Sequence, residues 1–188
     1  GKKAENLENF KKAITSTVKS IAGDQNINIV FGGEVEKKNV NTVKLPNIQS
    51  IDNKIDYVKT RALADSEALK LRCSDINVYN FFEPKGNISK LLYAVAEKIR
   101  YENIGSSYFK GIKENLNQYY EIKNKQKKEY KNNEYEFVDA FENYLRNEVF
   151  KLNNNKEIES KYKKYKKKLE TKLKNKLDSL NDSIFDQK

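Results

Sequence analysis

The chain has no histidine, no tryptophan and no methionine, and a single cysteine, Cys73. Each absence closes a route. Without imidazole, a Ser-His-Asp triad, a Cys-His pair and any histidine-bound zinc are impossible within the chain. One thiol makes neither an internal disulfide nor a thiolate metal cage. Only two prolines and seven glycines punctuate the 188 residues. No run approaches the ~18 uninterrupted apolar residues of a membrane-spanning helix. The missing methionine extends to position 1, which points to a piece of a longer chain. With no leader segment in view, the cytoplasm is the expected compartment.

Arginine is scarce too. Thirty-three of the 37 cations are lysine and four are arginine (Arg61, Arg72, Arg100, Arg146), against 27 acidic residues and a net charge of +10. Phosphate and base recognition favours the planar guanidinium fork. A lysine excess with abundant Asn, Ile and Tyr reads instead as ordinary solvated faces.

What is present is helical periodicity. Phe10, Ile14, Val18 and Ile21 recur at helical spacing and end at Gly23, a C-cap glycine. The alternating run 27–31 stops at Gly32-Gly33, and a second short run, 40–45, stops at Pro46, so a small sheet is expected. A helix comes next over about 52–73, with Ile55, Val58, Ala62, Leu69 and Cys73 on one stripe. After a loop at 83–87, another helix starts near Ser89, uses Leu91, Leu92, Val95 and Ile99, and is expected to break at Gly105-Ser106-Ser107. Then come a helix with Ile112, Leu116 and Tyr119/Tyr120, and one with Val138, Phe141, Leu145 and Val149. A lysine-rich helix is expected over 158–184. The fold class is α+β, predominantly helical, with a compact domain over residues 1–105 and a helical extension over 106–188.

Two local patterns bear on chemistry. The run 161–168 interleaves six lysines with Tyr162 and Tyr165, as a basic nucleic-acid-binding module would. Both tyrosines fall on an apolar stripe, which favours a solvated lysine face over a nucleic-acid partner. The second pattern, Ser66-Glu67-Ala68-Leu69-Lys70, stands in the frame H-E-x-x-H, where residues at i and i+4 share a face and hold one zinc while Glu activates water. Ser66 and Lys70 occupy the ligand places. Serine is a poor zinc ligand, and lysine arrives protonated. No catalytic, cofactor-binding or metal-binding residue is therefore expected to be active.

Taken in order, several segments resemble the N-terminal region of the CobT-type subunit of aerobic, ATP-dependent cobaltochelatase. They are Ile21-Ala22-Gly23-Asp24, the strand 27–31 with Gly32, Val43-Lys44-Leu45-Pro46, and 61–75 ending in Leu71-Arg72-x-x-Asp75. Further on come Glu97-x-x-Arg100-x-Glu102 with Gly105 and Gly111, Leu145-Arg146-Asn147-Glu148, and Asp186-Gln187. The resemblance implies a degenerate zincin-like peptidase scaffold in which Ser66, Glu67, Lys70, Glu97, Arg100 and Glu102 are vestigial positions, with Glu67 and Arg100 forming an ion pair. It implies a scaffold and partner-docking role in an oligomeric ligase assembly with an AAA+ ATPase subunit and a large corrin-binding subunit. That assembly inserts cobalt into a corrin precursor of cobalamin, using ATP and magnesium. The family's acidic linker and C-terminal von Willebrand-type domain lie outside these residues. Two other readings stand beside it: the nucleic-acid module, and a docking domain of another AAA+ system.

Overall fold

The periodic run ending at Ile21 folds as α1 (Lys2–Ala22), burying Ile14, Val18 and Ile21. Gly23 closes it in the left-handed region, and the N–H groups of Gly23 and Asp24 both reach the Lys19 carbonyl, satisfying an acceptor that a helix end leaves orphaned. The computed structural model describes residues 1–34, 41–126, 128–150 and Thr171. The expected helix over 158–184 and the run 161–168 lie outside the described residues.

β1 (Asn28–Phe31) and β2 (Thr42–Leu45) pair in parallel, in the register Asn28↔Thr42 to Phe31↔Leu45. Val43 and Leu45 point into the core while Lys44 faces water, the alternation a half-covered sheet requires. α2 (Lys54–Cys73) begins at Asn53, whose side chain accepts from the Ile55 N–H as an N-cap. Its middle is covered on more than one face. Ala62, Ala64, Ala68 and Leu69 are all buried, together with Asp65 and Ser66, which explains the run of small residues. The expected stripe holds in its centre, whereas Ile55 is 45% exposed.

α3 (Ile76–Phe82) is a short helix that the periodicity does not announce; none of its residues is buried. α4 (Asn87–Tyr108) runs straight through Gly105, so the expected break there does not occur. A Cβ on Gly105 would collide with the end of the Leu69 side chain. The glycine is present because α2 and α4 touch at that point, not to end the helix. α5 (Lys110–Lys125) buries Ile112, Leu116 and Tyr120. α6 (Asn133–Phe150) buries Phe137, Ala140, Phe141, Glu142, Arg146 and Phe150. Its inner face is thus turned by about one residue from the expected stripe, leaving Val149 exposed.

Residues Gly1–Pro84 and Glu97–Lys127 make one compact unit, and Lys85–Ala96 with the described residues from Lys128 onward make another. The first holds a core of Ile14, Val18, Ile21, Val43, Leu45, Leu69, Leu116 and their neighbours. In the second, Phe137, Ala140 and Phe141 pack with Ile88, Leu92, Val95, Tyr144 and Leu145. Among the described residues no helix is long and apolar enough to cross a membrane.

Candidate functional site

α2 and α4 carry all six positions singled out in the sequence, and the structure divides five of them among three places, with Lys70 apart from all three. The first is a buried polar knot. Ser66 donates to Glu102 Oε1 at 2.5 Å, and the Tyr120 hydroxyl of α5 donates to the same oxygen at 3.2 Å. Glu102 is 0% exposed. A buried carboxylate persists only where donors compensate for lost water, and here two helices supply them. The ammonium groups of Lys98 and Lys123 stand over the Tyr120 ring at 5.6 and 5.8 Å.

The second place closes the end of α2. Arg100 grips Glu97 with two N–H groups, at 2.8 and 2.6 Å, and donates to the Cys73 carbonyl at 2.7 Å. Ser74 adds a bond to Glu97 at 2.7 Å. The Arg100 hydrogen bond holds the Glu97 carboxyl below its ordinary range, against the opposing effect of burial. The expected Glu67–Arg100 pair does not form. Arg100 is committed three residues back on its own helix, and the Cys73 carbonyl is an acceptor that helix ends leave unpaired.

Glu67 occupies the third place. One residue along α2 from Ser66 is about 100° around the helix, so Glu67 faces away from the knot. It lines an open cleft with Leu63, Gly32, Gly33 and residues 44–47. Lys70 is exposed. Of the zinc frame, then, Ser66 and Glu102 come together, while Glu67 and Lys70 stand apart from them. Among the described residues no group of three or more Cys, Asp and Glu is placed to hold a metal ion.

Asp65 belongs with the knot's helices and was not singled out by the sequence pattern. It is buried, and Asn115 of α5 donates to it at 2.8 Å. Burial raises its pKa, opposed by that hydrogen bond and by the Arg61 charge. The one signal in the sequence was an acid inside an alanine-rich helical run, which marks a polar group with a partner elsewhere.

Ser66 and Glu102 are buried, and the more exposed Arg100 is paired with Glu97. Carboxylates, hydroxyls and the guanidinium are spent on one another and on a helix end, which binds α2, α4 and α5 together. No solved structure matches the chain. The family model described as cobalamin biosynthesis protein CobT matches residues 4–188, which takes in both polar clusters and the cleft, and the chain belongs to that family.

Proposed function

We propose that the chain is the scaffold and partner-docking portion of a cobaltochelatase subunit. In this reading it works with an AAA+ ATPase subunit and a corrin-binding subunit, and the assembly inserts cobalt into a corrin precursor using ATP. The observation that carries it is the family match over 4–188. The pairing of Ser66 with Glu102 and of Arg100 with Glu97 and the end of α2 supports a structural role for this region. Cobalt is the cargo of the assembly, and ATP with magnesium belongs to the ATPase subunit. Descent from a zincin-like scaffold belongs to the same proposal.

The test is co-expression with the two partner subunits, followed by size-exclusion chromatography with light scattering. The chain should elute with the AAA+ ATPase subunit in an oligomeric complex, and alone it should show neither ATP hydrolysis nor cobalt insertion. Elution as a free chain in the presence of both partners would overturn the reading.

A further inference from the structure

Two parallel strands end side by side at Phe31 and Leu45, and the turns beyond them open a cleft. The last rung is the Gly32 N–H to the Leu45 carbonyl, 2.8 Å. After it the chain turns through Gly32 and Gly33, both in the left-handed region at φ 71° and 80°, while Pro46 diverts the other strand. The crevice outside the carboxyl ends of parallel strands is where open α/β sheets take their ligands. Here it measures about 510 Å³.

The walls are specific. A Cβ on Gly32 would come 2.7 Å from Asn47 Cβ, so the two turns touch there, whereas among the described residues nothing lies within 4 Å of a Cβ on Gly33. The opposite wall is α2, which contributes Leu63 and Glu67, four residues apart and therefore on one face. Glu67 is half-buried. Among the described residues it makes no hydrogen bond or ion pair, unlike Glu97 and Glu102 on α4. Pro46 and Leu63 give the cleft apolar sides beside that carboxylate.

We propose that this cleft binds an aliphatic cation, an ammonium or guanidinium at the end of a methylene stem, with Glu67 pairing the charge and Leu63 and Pro46 flanking the stem. Lysine and arginine side chains have this build, with apolar stems that pack on apolar surface while the head finds an anion or water. A carboxylate recessed beside apolar groups pairs a cation more strongly than one in open solvent. The proposal goes beyond the chelatase reading and does not depend on it. Lys44, exposed at the rim, opposes the ligand's charge and so sets the affinity below what Glu67 alone would give.

The experiment is amide-resolved NMR of the full chain titrated with three probes: n-butylammonium, N-acetyl-lysine methylamide, and butyrate as the anionic control. Both cations should shift the amides of Gly32, Gly33, Leu63 and Glu67 saturably in the millimolar range, and butyrate should not. Tighter binding of the lysine derivative points to a polypeptide side chain as the natural ligand, and equal binding points to a free amine. Glu67→Gln should weaken both cations about tenfold, the loss of one charge-assisted contact, with the other amides in place. Lys44→Glu should strengthen both, an effect that a merely structural role for Glu67 would not produce. Absence of saturable shifts, equal shifts with butyrate, or unchanged affinity in Glu67→Gln would each overturn the proposal.

Discussion

Gly105 and Gly111 show how differently one residue type is used. At Gly105 an added methyl group collides with Leu69, so Gly105→Ala must either displace the fully buried Leu69 side chain or push α4 off α2. Overpacking of this kind costs about 1–3 kcal/mol, read as a lower urea midpoint, and Leu69→Ala in the same chain should recover some of it through non-additivity. Gly111, with nothing within 4 Å of an added Cβ among the described residues, lies in the first turn of α5, and Gly111→Ala should be neutral or stabilise by up to about 1 kcal/mol. Sequence alone makes both look like breaks or matches of a family pattern. Only the partner across the helix pair, 36 residues away, distinguishes them.

Two carboxylates carry opposite pH signatures. Burial raises Asp65 above its ordinary range, so its contribution to stability is full in acid and is lost as pH rises through the folded value. Glu97 is held low by Arg100, so its contribution is present at neutral pH and is lost as pH falls through its folded value. Asp65→Asn should therefore gain stability at neutral pH, and that gain should shrink in acid. Glu97→Gln should lose no more than about 1 kcal/mol at neutral pH, given its partly exposed partner, and that loss should fade in acid. Urea unfolding at neutral and acid pH checks both, and parallel trends for the two variants would contradict the assignment.

At the scale of elements, what the sequence revealed was periodicity, and what it hid was cover. α1, α2 and α5 were legible because Ile14, Val18, Ile21, Ala62, Leu69, Ile112 and Leu116 repeat at helical spacing and are indeed buried. α3 was not, because a helix that buries nothing has no apolar stripe to read. Phe81 is 82% exposed and Phe82 65%. Its stability leans on the cap, where Asp75 accepts from the Asn77 and Val78 N–H groups at 2.8 and 3.2 Å. Seven-residue helices are marginal on their own. Asp75→Ala should cost α3 about 1 kcal/mol, seen as roughly fivefold faster hydrogen exchange of its amides while the global unfolding midpoint stays put. The same limit applied to the candidate site. Spacing placed Ser66 and Glu102 on helices, but their meeting at 2.5 Å, and the turning of Glu67 away from Arg100, depend on how α2, α4 and α5 pack.

For the whole molecule the deciding quantity is the net charge of +10. Like charges spread over a lysine-rich surface repel one another in the compact state more than in the expanded one. Against this stand the ion pairs of the described residues. Lys3–Asp52 is well exposed and such pairs contribute little, while Glu142–Arg146 is buried and shielded from salt. Added sodium chloride therefore relieves repulsion while removing little attraction. Raising it from about 0.05 M to about 0.5 M, across which the screening length falls to a few ångströms, should raise Tm by about 2–4 °C, equivalent to about 1 kcal/mol. Scanning calorimetry at fixed pH measures this directly. A flat or falling Tm would mean that the lysines are already balanced by acidic neighbours, and that the charge excess exerts no net strain on the fold.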